Sequence, residues 1–407
     1  MSINPPPILY FAIFGMLPLG HAVEKKEQFE VTAIPIEVRE NLNLKEFYQK
    51  RVNVCGFSIL SSKNVSNFAL KEAAFLIRKM IGERVDLLEE LNKNKARFVI
   101  MARNEFTTDI PEHANLTPAI YWDQRARGLG ATNARPAVTC GEENLLGIKG
   151  DPYAEENILI HEFAHALHQM ALNQIDPLFQ KKIERCFEQA TKQKIWEGTY
   201  ASTNVNEYWA EGVQSWFNTN RENDREHGQI NTRKELKEQD PGLAALIKHI
   251  LGDTDWRYQL PQNRKTISPH LVGFQADKEK PFVWPKKLVQ WKKDFDSGQI
   301  GLASEGSPQV KGLSAQHPSV QRSNFSKKRN RLFFRNLSSR EINLEWIDFD
   351  GNPKQTKILR PRDHVEIQSF VGHVWQIKDS DSKKKLVRFI LPKYKTSQFI
   401  FRNELNK

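Results

Sequence analysis

The chain runs to 407 residues with a formal net charge of +11, a length that leaves room for two or three domains. Residues 1–260 carry 31 Lys and Arg against 35 Asp and Glu, while residues 261–407 carry 29 against 14. A mildly acidic half thus precedes a strongly basic one, and the two are expected to face different partners. Nucleic acid is one partner that suits the basic half, but it shows no zinc finger, RNP or helix-turn-helix signature, so specific nucleic-acid binding is not expected. An anionic extracellular ligand such as a polysaccharide or cell wall, or an acidic protein, fits equally well.

The first predicted element is an apolar run, Ile8-Leu9-Tyr10-Phe11-Ala12-Ile13-Phe14-Gly15-Met16-Leu17-Pro18-Leu19, short for a membrane span. Gly20-His21-Ala22 follows with the small-x-small spacing of a cleavage site, so residues 1–22 are expected to be a secretory signal. A secreted, periplasmic or cell-surface location follows, with an uncleaved membrane anchor as the alternative. The three cysteines, Cys55, Cys140 and Cys186, lack zinc-site spacing. A Cys55–Cys140 bridge after export would leave one thiol unpaired, and Cys186 reads as a buried thiol. Val52-Asn53-Val54 and Phe57-Ser58-Ile59-Leu60 are β-type runs, residues 67–91 read as one helix, and Arg97-Phe98-Val99-Ile100-Met101 reads as a central strand.

Asp151-Pro152 has the form of an N-cap followed by proline at the first helical position, which predicts a helix over residues 153–172. That stretch carries His161-Glu162-Phe163-Ala164-His165. Positions i and i+4 share one helix face, so both imidazoles can reach a single zinc ion, with Glu162 beside it as a general base. His168 shares nearly the same face but lies about 10 Å along the axis from His161, too far to join them. It is expected behind the ligands or at the surface. Residues 177–195 read as helix. Asn204 reads as the N-cap of another, running to about residue 218. Glu207 and Glu211 are i, i+4 on it, making Glu207 the candidate third ligand and Glu211 a hydrogen-bond partner for a ligating histidine. A competing reading makes Asn204-x-x-Glu207 a capping box, in which Glu207 satisfies only a backbone N–H. A helix over residues 243–251 and then Trp256-Arg257-Tyr258 close this unit, expected to span residues 23–260.

Residues 122–258 resemble gluzincin metallopeptidases of the anthrax lethal factor-like group. The resemblance rests on the histidine pentad and on Thr203-Asn204-Val205-Asn206-Glu207-Tyr208-Trp209-Ala210-Glu211. It implies an α+β zincin-like domain with one catalytic Zn2+ held by His161, His165 and Glu207. It also implies Glu162 as the base and Tyr200, seven residues before Glu207, as a phenol directed at the oxyanion. Arg135-Pro136-Ala137-Val138-Thr139 is similar to the family's edge strand beside the cleft, along which a peptide would align by β-addition.

Residues 261–327 read as a connector, its Ser-, Gly-, Gln- and Pro-rich part over residues 297–323 expected to be flexible. Short strands separated by turns then predict a small β-sandwich over residues 328–394, with residues 395–407 as a tail. This region resembles the β-domain of the von Hippel–Lindau protein through Phe334-Arg335-Asn336, Trp346, Phe349-Asp350-Gly351-Asn352-Pro353 and Ser369-Phe370-Val371-Gly372-His373-Val374-Trp375. The resemblance implies a pocket for hydroxyproline-containing peptides at Ser369, His373 and Trp375. Thr356 replaces the family's pocket tyrosine, and the family's helical adaptor-binding segment has no counterpart. Together these readings describe a secreted zinc endopeptidase with a substrate- or matrix-binding sandwich. The alternative is an extracellular adhesion protein on a catalytically silent peptidase-like scaffold.

Overall fold

The computed structural model describes residues 29–224, 226–302 and 307–403, with backbone alone at residues 355 and 356. The expected signal over residues 1–22 lies outside them. The first sheet contains β1 (Lys50–Val54), β2 (Phe57–Ser61), β3 (Arg97–Met101), β4 (Gly128–Leu129) and β5 (Ala137–Gly141), in the order β1-β2-β3-β5-β4. Cys55 and Gly56 join β1 to β2 with both φ angles positive, 48° and 88°, as a two-residue hairpin of right-handed twist requires. β2, β3 and β5 are buried at every residue, which suits their unbroken apolar runs. β3 is central, as its composition suggests. The segment expected to form the edge is instead the penultimate strand β5. β4, only two residues long, pairs antiparallel with β5 and forms the edge itself.

Helices cover this sheet. The predicted helix over residues 67–91 is two helices, Asn67–Ile81 and Val85–Lys93, interrupted where Gly82 adopts a φ of 53°. The pentad helix spans Ile158–Leu167 and starts later than predicted. Asn157 caps it by accepting from the Ile160 amide at 3.0 Å. Asp151 instead holds the preceding loop, accepting from Tyr153 N and Asn144 Nδ2, each at 2.9 Å. Beyond Leu167 the backbone passes into a π-turn over His168–Leu172. His168 is fully buried there among Phe179 and Trp209, its Nε2 2.9 Å from Gln180 Oε1, so it is not a surface histidine.

The helix Val205–Trp216 crosses the pentad helix and is fixed to it by Trp209, whose indole donates to the Ala164 carbonyl at 2.9 Å. Asn204 caps it, accepting from the amides of Asn206 at 2.9 Å and Glu207 at 3.1 Å. The unit does not end at Tyr258. Arg264 and His270 reach back to the buried carboxylate of Glu72, and Phe282 N donates to Lys149 O at 2.9 Å. Cys55 is exposed, Cys140 buried and Cys186 partly buried, and all three are free thiols, so the Cys55–Cys140 bridge is not formed. Among the described residues no helix is long and apolar enough to cross a membrane.

The C-terminal region is a two-sheet sandwich. Its strands are β6 (Arg329–Asn336), β7 (Ile342–Ile347), β8 (Pro353–Leu359), β9 (His364–Phe370), β10 (Val374–Asp379), β11 (Lys385–Ile390) and β12 (Thr396–Phe401). Four form the sheet β11-β10-β7-β8 and three form β12-β6-β9. Leu332, Phe334, Leu344, Trp375, Phe389 and Phe399 pack between them. β12 runs parallel to β6, so the fold extends past the expected boundary at residue 394 into the expected tail. Much of the expected flexible stretch lies along the sandwich: Val310 N donates to Gln398 O at 2.8 Å, and Leu313 and Arg388 exchange backbone bonds of 2.7 and 3.0 Å. These sheet edges satisfy backbone groups that composition alone would leave to solvent.

Among the described residues, the contacts between the two units include two hydrogen bonds. Tyr121 Oη lies 2.8 Å from His364 Nε2, beside Phe295 and Trp291 of the helix Lys286–Ser297. The Arg360 guanidinium donates to the Gly198 carbonyl.

Candidate metal centre and sandwich side-chain cluster

The two crossing helices bring His161, His165 and Glu207 together. The His161 and His165 Nε2 atoms are 3.1 Å apart, and Glu207 Oε2 lies 3.3 Å from the first and 3.2 Å from the second. Tetrahedral zinc bonds of about 2.0–2.1 Å place neighbouring donors roughly 3.3 Å apart, so the spacing fits one ion. Glu207 Oε2 is also buried with no hydrogen-bond partner, a costly state unless a cation completes it. Asn204 does cap the helix, but the Glu207 carboxylate turns to the imidazoles, against the capping-box reading. Burial pushes the Glu207 carboxyl up, yet His161 and His165 outweigh it and hold it well below the usual carboxylate range.

The tautomer of His161 is set from behind. Its Nδ1 lies 2.7 Å from Gln214 Oε1, so Nδ1 carries the proton and Nε2 presents a lone pair to the centre. Gln214 is fully buried and cannot flip freely, because its amide donates to Glu156 Oε2 at 3.1 Å and Glu156 pairs with Arg221 at 3.0 Å. Glu211, expected in this role, stands 3.5 Å from Nδ1, beyond a hydrogen bond. It instead accepts from Asn220 Nδ2 at 2.9 Å and lies 3.6 Å from His227. Gln214 is not among the residues expected from the sequence, although Glu207, Glu211 and Gln214 form an i, i+4, i+7 polar stripe on a helix otherwise rich in large apolar residues.

A cleft of about 570 Å³ opens over these donors, with Glu162, Tyr200, Arg125 and the β4 backbone in its wall. β4 approaches the pentad helix closely: a Cβ at Gly128 would lie 2.3 Å from Ile158 Cγ2, and one at Gly130 2.9 Å from His165 Cβ. Burial pushes the Glu162 carboxyl above its ordinary value, with His161 and His165 opposing. Such a carboxylate is more basic than a solvated one, which suits proton transfer. The Tyr200 ring stacks on His161 at 6.4 Å between centroids. Burial and then the Glu207 charge drive its phenol far above the ordinary range, so it remains a donor.

In the sandwich, Ser369, His373 and Trp375 are buried against one another. Ser369 Oγ is 3.2 Å from His373 Nδ1 and accepts from the Trp375 indole at 3.3 Å. Trp346 stacks on His373 at 5.2 Å and Phe349 meets it edge-on at 5.8 Å, so aromatic rings cover the histidine. The side chain of Thr356 lies outside the described residues. Burial lowers the His373 pKa, favouring the neutral ring.

The molecule is therefore a mixed α/β unit bearing a three-donor centre, followed by an all-β sandwich. The family model of the VHL beta domain matches residues 321–390. That span contains Trp346, Ser369, His373 and Trp375, while β12 lies beyond it. No curated protein matches the chain.

Proposed function

We propose that this chain is a zinc-dependent endopeptidase of the gluzincin, lethal factor-like type with a zincin-like catalytic unit, and that it acts outside the cytoplasm. One observation carries the reading: two helices converge so that three donor atoms lie 3.1–3.3 Å from one another, with the Glu207 oxygen otherwise unpartnered. His161, His165 and Glu207 would hold the ion, and when bound it supplies Lewis acidity to a scissile carbonyl and an attacking water. Glu162 takes the proton of that water and passes it to the leaving amine. Tyr200 donates from its phenol to the oxygen where negative charge develops. The sandwich would recognise an extended peptide at the buried group of Ser369, His373 and Trp375, hydroxyproline-containing peptides being the candidate ligands.

The test pairs metal content with turnover. Purified protein should carry about one zinc per chain. His161→Ala and Glu207→Ala should lose it, and Glu162→Gln should keep it while losing nearly all peptide cleavage. Wild-type protein that retains zinc but cleaves nothing in a broad peptide library would favour the silent-scaffold alternative.

A further inference from the structure

Three guanidinium groups line the cleft, and two are neutralised. Arg127 is fully buried and paired with Glu143 at 2.6 Å. Arg221 meets Glu156 at 3.0 Å, Asp224 at 3.0 Å and Glu226 at 3.1 Å. Arg125 differs. Among the described residues no carboxylate lies within ion-pair distance of it, and it is open to solvent in the cleft. It ends the helix Ala119–Arg125, just before β4, and its backbone carbonyl accepts from Tyr153 Oη at 2.8 Å. Its guanidinium sits 5.8 Å from the Trp122 ring, and its electrostatic surroundings are the phenols of Tyr121, Tyr200 and Tyr153 and the Glu162 carboxylate.

A cation in such a wall is tolerated while water reaches it. A peptide filling the cleft would displace that water and leave the charge unpaired unless it supplied an anion. Of the acidic groups lining the cleft, Glu156 and Glu226 are paired with Arg221, while Glu162, Glu207 and Glu211 surround the pentad face and offer nothing to an acidic substrate. Arg125 is the one free countercharge among the described lining residues. Its planar fork matches a carboxylate with two parallel hydrogen bonds. Because Arg125 lies three residues before the edge strand beside the pentad, an extended peptide laid along β4 would bring residues flanking the scissile bond to it.

Resting on the peptidase reading above, we propose that Arg125 is the specificity-determining residue of the cleft, selecting substrates that present a carboxylate next to the bond cleaved. The carboxylate has two sources, an Asp or Glu side chain or the C-terminus of the substrate.

The experiment uses the full-length zinc-loaded protein and a quenched fluorescent peptide series carrying Glu, Gln or Lys at each position around the cut, made both as C-terminal amides and as free acids. Wild type should prefer Glu over Gln at one position by roughly ten- to a hundredfold in kcat/KM, the range of a charged hydrogen bond. Arg125→Gln should abolish that preference and Arg125→Glu should invert it towards Lys, with neutral peptides much less affected. A preference retained in the amides assigns a side-chain carboxylate, and one confined to free acids assigns the C-terminus. Equal use of Glu and Gln by wild type, or a uniform loss on all peptides in Arg125→Glu, overturns the proposal. Peptide binding to Glu162→Gln, read by fluorescence anisotropy with and without Arg125→Glu, reports the same selectivity without turnover. If nothing is cleaved yet this binding preference appears and depends on Arg125, the peptidase reading fails and the recognition stands.

Discussion

Replacing Gln214 with Leu tests the support behind the proposed metal centre. The substitution removes the 2.7 Å contact that fixes the proton on His161 Nδ1 and leaves the proposed ligands His161, His165 and Glu207 intact. Loss of such a supporting partner weakens metal affinity about 10–100-fold, equivalent to about 1.4–2.7 kcal/mol. The lower end applies if the ring relaxes towards Glu211, now 3.5 Å away. Glu156 loses the Gln214 amide but keeps Arg221 at 3.0 Å, so the buried carboxylate stays compensated and the fold should survive. Zinc affinity would be measured by competition with a chromogenic chelator, beside thermal unfolding of the metal-free protein. The expected result is weakened zinc binding with a metal-free melting temperature shifted by only a few degrees. Affinity within twofold of wild type would falsify the view that Gln214 orients His161.

Other substitutions probe the remaining parts. Tyr200→Phe should lower kcat by about a hundredfold, the scale of one oxyanion donor, with KM little changed; a larger effect on KM than on kcat contradicts the assigned role. Gly130→Ala places a Cβ 2.9 Å from His165 Cβ and should destabilise the fold by about 1–3 kcal/mol, read from denaturant midpoints; an unchanged midpoint would show that β4 does not press on the pentad helix. Burial lowers the pKa of His364 and of His113 to about 4, with other charges modifying the shift at each site. Unfolded histidine titrates near 6.5, so the unfolded chain takes up protons that these folded rings refuse. Stability should therefore be full above pH 6.5 and fall as pH drops towards 4. His364→Gln should flatten part of that slope in melting temperatures taken across the window, and an identical slope in the variant would count against it.

Short-range spacing made some features legible. His161 and His165 are one turn apart, and Asn204 caps its helix through amides two and three residues on, so local sequence contains those arrangements. The crossing of the two helices is less local, and only the need of a histidine pair for a third donor points to Glu207 in the sequence. Features set by distant partners stayed hidden. Gly128 and Leu129 have no strand propensity and form an edge only because β5 lies beside them. β12 pairs in parallel with β6 across a long sequence separation, so it read as a tail. Asp151-Pro152 looked like a helix start, but Asn144 holds that loop and Asn157 takes the cap. In the sandwich the Ser369, His373 and Trp375 group was read through resemblance, whereas its stacking on Trp346 needed the two strands in register.

The junction between the halves has a practical consequence. Tyr121 adjoins Trp122 in one lip of the groove, and Gly198 stands two residues before Tyr200 in the other. The sandwich grips both lips, through His364 and through Arg360. A chain cut after residue 325 would lose both handholds together, so comparing it with the whole molecule would report on the jaw as much as on the leash. Point changes at Ser369 or His373, which leave His364 and Arg360 in place, are the cleaner way to ask what the sandwich captures.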